Sequence, residues 1–418
     1  MSKADFRPYL PTPEQSKISG PTARAHTKAR QSIDRVQSLF SMWGKLFAEP
    51  FRGITTDGAL LKDLFTLRPE RAPNEAIVVA ANALLATMTD DQRTRAVFRV
   101  DSEQWRNWQN TEMYVETHGL RLEEISERQR DAVMAVLRAS LSDQGYEATR
   151  NVMRLNRFLG DLVGGPQVMN EWSYTFCIFG APSTTEPSTT EPWGWQLFGH
   201  HLCLNCLVIG TQMVVTPAFF GAEPAYVDSG PHKGLSLFDD EERAGLSLMT
   251  SLTRDQQERA IVYHSMMGGD LPEGRRHFAD NLHLGGAYQD NRIVPYEGLP
   301  GAALTAEARR RLTDLTAAYL AYLPDGPRDA RLEDFERHVD ATHFCWIGGT
   351  GEADPFYYRI QSPVVFIEFD HHAGVFLTNE TPQRFHIHTI VRTPNGNDYG
   401  IDLLRQHYAQ AHGPHSHG

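Results

Sequence analysis

The sequence predicts an α+β protein: an antiparallel sheet covered by helices, with a mainly helical N-terminal part. Three patterns point there. Apolar residues recur at helical spacing through most of the N-terminal third. Aromatic and β-branched runs begin after Gly164-Gly165 and return near the C-terminus. Helical patterns lie between them in blocks, without the regular strand–helix alternation of a doubly wound sheet.

Residues 1–28 are polar, with prolines at 8, 11, 13 and 21, and read as a flexible arm. A helical subdomain is predicted over 29–165. Ile33, Val36, Leu39, Phe40, Trp43 and Leu46 mark a helix within 29–64. Residues 75–90 and 126–161 continue the pattern, with Ser126 placed to cap the second.

An α+β domain is predicted over 166–412. It opens on the strand-like EWSYTFCIFG, and STTEP then occurs twice in tandem, as a small loop duplication. HHLCLNCLVIG and QMVVTPAFFG form a hairpin about Gly210-Thr211. Helices return over 239–323. Asp239 caps one, Thr253 and Gln256 form a capping box for the next, and Thr305 caps a third. Residues 331–346 read as another amphipathic helix. SPVVFIEFD (362–370) and RFHIHTIVR (384–392) are the last strands, and Asp398 caps a final helix. Residues 413–418 read as a disordered tail, and His412, His415 and His417 go with that end.

The balance of 40 basic and 52 acidic residues gives a net charge of −12. Such a chain repels phosphate backbones, so nucleic acid is not an expected partner. The N-terminus lacks the apolar stretch of a signal peptide, and no run reaches membrane-spanning length. The expected location is the cytoplasm. Cys203-x-x-Cys206 has the spacing of a redox or zinc motif, but residues three apart on a strand face opposite ways. With Cys177 and Cys345 they are expected to be free core thiols.

The chemistry is expected where polar residues interrupt strands. In RFHIHTIVR, His386 and His388 share one face, while Phe385, Ile387, Thr389 and Val391 take the other. In VVFIEFD, Glu368 and Asp370 share a face opposite Val365, Ile367 and Phe369. In HHLCLNC, His201 aligns with Cys203 and Asn205, and His200 with Leu202 and Leu204. If the polar faces converge, two or three imidazoles meet a carboxylate. That donor set holds zinc, iron, manganese or copper. His201, His386, His388 and Glu368 are the expected ligands, with His200 as an alternative to His201. Asp370, Asn205, Arg392 and Arg359 are candidate catalytic or supporting groups. His371 and His372 read as loop residues after the strand. Trp193 and Trp195 either wall a pocket for a flat substrate or anchor the core. Asn397-Asp398-Tyr399-Gly400 reads as a cap and turn. No phosphate-binding glycine loop, nucleophile elbow or H-E-x-x-H appears.

At PWGWQ…GHH, YYRIQSP…EFD, HIHT and NDYG the chain resembles a bacterial and fungal family known as a domain of unknown function. Trp346-Ile347-Gly348-Gly349 matches a further turn shared by its members. The resemblance runs roughly from the first long helix to the last one. It implies one integrated fold and brings no assigned reaction. The STTEP duplication departs from the pattern directly before PWGWQ. The expectation is therefore a metal-dependent hydrolase or lyase acting on a small organic molecule, aromatic ones included. A mononuclear iron or copper oxidoreductase using the same ligands, and a non-catalytic small-ligand-binding protein, are the alternatives.

Overall fold

The structure, a computed structural model, describes residues 4–115, 117–183 and 191–411. Most of the STTEP repeat and the His412, His415 and His417 tail lie outside the described residues. The strands are β1 (Val97–Phe98), β2 (Leu120–Arg121), β3 (Tyr174–Phe179), β4 (Trp193–Gly199), β5 (Leu202–Ile209), β6 (Gln212–Ala222), β7 (Ile261–Tyr263), β8 (Leu299–Pro300), β9 (His343–Gly348), β10 (Phe356–Gln361), β11 (Phe366–His372) and β12 (Gln383–Arg392). The helices are α1 (Ala23–Arg30), α2 (Asp34–Phe47), α3 (Asn74–Thr87), α4 (Asp90–Ala96), α5 (Glu127–Ser140), α6 (Asp143–Leu162), α7 (Asp239–Ser251), α8 (Arg254–Ala260), α9 (Ala306–Tyr319), α10 (Asp325–Arg337) and α11 (Ile401–Ala411). The fold is α+β.

The strands form a single sheet in the order β1-β3-β4-β5-β6-β12-β11-β10-β9-β7, with β2 beside β3 and β8 beside β9. The long strands pair antiparallel. The short edge strands β1 and β7 pair parallel with β3 and β9, so the sheet is mixed. β9 also corrects the helix expected over 331–346. The helix ends at Arg337, and HFCWIG, rich in aromatic and β-branched residues, is a strand. The pairing of β6 with β12 joins the early and late strands, with Gly221 opposite His388 and Phe219 opposite Ile390.

Both faces of the sheet are buried. Trp195, Leu204, Ile387 and Phe369 on one face share a hydrophobic cluster with Ile77 of α3 and Leu137 of α5. Phe198, Cys203, Phe219 and Ile390 on the other pack with Leu39 and Trp43 of α2. β5 and β6 form the expected hairpin. Cys203 and Cys206 fall in different clusters, and all four cysteines are buried and free. No helix among the described residues is long and apolar enough to cross a membrane.

Caps behave locally. Ser126 with Gln129, and Thr253 with Gln256, form capping boxes, and Thr305 accepts from the Ala308 amide. Ser142 caps a second helix inside 126–161 and so divides it. The helix expected within 29–64 is α2, and it stops at Phe47. Two cap expectations are corrected. Phe238, at φ 69°, precedes α7, and Asp239 is already inside the helix. Before α11, Asn397 Oδ1 accepts from Leu403 N, whereas Asp398 accepts from Thr393 N and Arg392.

Glu242 ties α7 to the sheet. It accepts from Arg384 Nε at 2.7 Å and pairs with His371 Nε2 at 2.9 Å. Burial pushes its carboxyl up, but the hydrogen bonds to His371 and Arg384 outweigh burial and hold it at about 2. A depressed carboxylate stabilises the fold above its unfolded pKa and loses that contribution as pH falls toward the folded value. Glu242→Gln is therefore expected to remove on the order of 3 kcal/mol at neutral pH. It should also flatten the loss of stability on acidification below the ordinary glutamate range, read from urea unfolding midpoints against pH.

Candidate metal centre

β12 alternates as the sequence predicts. Phe385, Ile387 and Val391 enter apolar clusters, while His386 and His388 emerge together on the opposite face, both buried. His201 reaches them from the β4–β5 turn, which consists of His200 and His201 alone. The turn places His201 at φ 63°, and its carbonyl accepts from Gly221 N at 2.7 Å. Gly221 makes the room. A Cβ there would lie 2.9 Å from His388 Cδ2 and 3.2 Å from His201 Cδ2, so a bare backbone lets the two rings sit side by side.

One ring nitrogen from each of His201, His386 and His388 lies within 4.8 Å of the other two. His386 Nε2 and His388 Nε2 are 3.1 Å apart. Two nitrogens bound to one ion at ~2.0–2.1 Å are separated by about 3 Å. His386 Nδ1 lies 2.9 Å from the Ala373 carbonyl, which fixes the proton there and turns the Nε2 lone pair toward the cluster. Burial pushes His386 down to about 3 and His201 and His388 well below the usual range. All three are neutral at neutral pH, the state that ligates a metal.

His200 does not join the trio. Its Nδ1 lies 2.8 Å from Asn156 Oδ1, and its ring stacks on His201 with centroids 3.8 Å apart. It props its neighbour. Glu368 lies on the expected face, but its oxygens accept from Leu284 N, Gly285 N and the Tyr357 hydroxyl at 2.6–3.0 Å. Burial pushes its carboxyl up, while His283, Tyr357 and Arg359 bring it below its ordinary value. Glu368 thus pins the loop around residue 284 and is not part of the converging set.

Asp370 is the carboxylate beside the imidazoles, opposite His388 in the β11–β12 register. Its Oδ2 accepts from Leu282 N and lies 3.1 Å from His372 Nε2, while Oδ1 is buried without a partner. Burial raises its carboxyl to about 7. His371 and His372 are corrections: both continue β11 and are buried. His371 faces α7, and the His372 ring lies 3.8 Å from that of His388. His283 was not anticipated. It sits in the pinned loop, both its ring nitrogens lack partners, and its ring lies 6.0–6.1 Å from those of His372 and His388. A single histidine in a loop carries no periodic signal. Extending the alternation of FIEFD into His371-His372 would have found His372.

The remaining candidates serve the scaffold. Asn205 hydrogen-bonds Gln196 and the Pro217 carbonyl. Arg392 pairs with Asp290 and Asp398, and Arg359 with Glu297. Trp193 and Trp195 lie on the opposite face of the sheet, bonded to Asn74 and Ser140, so they anchor the core and do not wall the site. The aromatic wall comes from Trp43 and Phe278, which line a cleft of about 150 Å³ that also touches His200, His201 and His388.

Residues 70–401, well over half of the chain, match a family described as "Protein of unknown function (DUF3500)". The chain belongs to this family. The matched span holds the histidine trio, Asp370, His372 and His283, whereas α1 and α2 precede it. No curated protein and no solved structure matches the chain.

Glu368→Gln would set an amide NH2 against two backbone donors. We expect a loss of about 1–3 kcal/mol in stability. Faster amide hydrogen exchange at 282–285 should accompany it, measured by mass spectrometry.

Proposed function

We propose that the chain is a metal-dependent hydrolase or lyase acting on a small organic molecule, with His201, His386 and His388 holding one divalent ion. The observation that carries this reading is the convergence of three buried, neutral imidazoles within 4.8 Å. Zinc suits the set best, because three imidazoles with no carboxylate offer borderline-soft nitrogen donors and leave a fourth tetrahedral position. Water at that position would have its pKa lowered toward ~7, and the ion would polarise a substrate carbonyl. The buried Asp370 Oδ1, without a protein partner, is the acid–base group nearest in register, with the Leu282 amide orienting its other oxygen. An iron facial triad needs a carboxylate among the ligands; Glu368 is already engaged by three donors, and Asp370 does not join the group of His201, His386 and His388 that converges within 4.8 Å. That favours hydrolytic over oxidative chemistry. Four free thiols fit a reducing compartment, so we place the protein in the cytoplasm.

Purified protein reconstituted with zinc should hold about one ion per chain by elemental analysis. His386→Ala and His388→Ala should each lose most of it while keeping near-UV circular dichroism. Gly221→Ala should weaken binding by at least about tenfold through the crowded rings. Wild-type protein that takes up no stoichiometric metal, zinc or otherwise, would sink the proposal.

A further inference from the structure

The cleft above the trio has an unusual supply of donors. Lys17, Arg30 and Arg35 all line it, in a chain whose net charge is −12. Their neutralisation is partial, since the cleft lining also holds the carboxyl groups of Glu112 and Asp280. Arg35 has no acidic partner among the described residues, and Lys17 Nζ donates to the Val375 carbonyl. Arg30 Nε stands 3.7 Å from Glu112 Oε1, beyond hydrogen-bond distance, and is otherwise without a partner. Glu112 is shared with His26, 3.3 Å away. Trp43, which is 4% exposed, lines the same cleft and its Nε1 also has no partner. A buried indole N–H without an acceptor costs free energy, so its place on a cleft wall points to an acceptor supplied by something bound there.

We infer that this cleft selects a small organic anion, a carboxylate or phosphate monoester with an apolar body, through Lys17, Arg30, Arg35 and the Trp43 indole N–H. The cations attract the charged group and guanidinium forks hold its oxygens. The apolar body lies along Val36, Leu39 and the Trp43 ring, which is itself stacked on Tyr288 at 5.0 Å. The volume of about 150 Å³ suits one aromatic ring with a single substituent better than a polymer. All four recognition residues precede the span matched to the family, so the selecting layer is separate in the chain from the histidines beneath it, which lie inside that span. The inference rests on the metal reading only for which end of the ligand reacts.

The test is calorimetric titration of the full chain with benzoate, phenyl phosphate and neutral benzamide, with and without zinc. The metal-free arm removes direct coordination of the anion by the ion. At least one anion should bind at least about tenfold more tightly than benzamide, and added salt should weaken it. The stronger of the two anions distinguishes carboxylate from phosphate recognition. Arg35→Ala and Lys17→Ala should each weaken that anion by at least about threefold and leave benzamide unchanged. Trp43→Phe keeps the apolar wall and should weaken the anion more than benzamide, whose neutral carbonyl is the poorer acceptor. Equal binding of benzamide, no binding of either anion, or anion affinity indifferent to Arg35→Ala and Lys17→Ala overturns the inference. Zinc content is measured on the same samples. Anion selectivity without zinc uptake would overturn the metal proposal and leave this one standing. Zinc uptake without selectivity would do the reverse.

Discussion

A strand buried on both faces must fill each with something, and in β12 one face is mainly hydrocarbon while the other carries the imidazoles of His386 and His388 between Arg384, Ile390 and Arg392. The hydrocarbon face is held by helices from both halves of the chain. The imidazole face cannot be stabilised that way, because a buried polar group without a partner is costly. Burial therefore dictates its chemistry: the rings stay neutral, and their nitrogens turn to carbonyls, amides or one another. Unpartnered atoms that remain, Asp370 Oδ1, His372 Nε2 and both nitrogens of His283, gather around the same place. Their clustering is what separates a site from a satisfied polar core.

Acidic side chains build the surrounding loops. Glu368 holds the amides of Leu284 and Gly285, and Asp370 holds that of Leu282. Glu223 holds the amides of Val375, Phe376 and Leu377, a few residues from the Ala373 carbonyl that fixes His386. Each replaces the hydrogen-bond ladder that a loop lacks. Arg392 completes the frame by bonding the Gly285 and Gly286 carbonyls while neutralising Asp290 and Asp398. One loop segment is thus held by its amides and its carbonyls at once, which brings Asp280 to the cleft and His283 near His372 and His388 without a regular element beneath them.

The two layers of the site differ in origin along the chain. The trio comes from sheet strands and a two-residue turn, where position is set by hydrogen-bonded register. The cationic part of the cleft wall comes from α1, α2 and the segment before them, with α2 packed by side chains against the sheet face. With the proposed chemistry on the rigid part and the proposed selection on the packed-on part, ligand range could change without disturbing the histidine nitrogens.

Alternation in β11, β12 and the β5–β6 hairpin was legible because it is local: side-chain parity needs only the two-residue repeat. Capping boxes at Ser126 and Thr253 were legible for the same reason. The strand at 343–348 was missed where a helical pattern ran into it, and His283 had no pattern at all. Glu368 and Trp195 show the limit of parity. It assigns a face, and it cannot say whether a carboxylate on that face meets imidazoles or backbone amides, or which face the tryptophans share with which helices. Sequence by itself determined the class of fold and the placing of His386 and His388 together on one strand face. Only the tertiary structure brought His201 to them across a glycine on β6, engaged Glu368 with a loop, and laid Trp43 and three cations over the opening, because contacts between residues far apart in the chain depend on strand register and packing that no local repeat encodes.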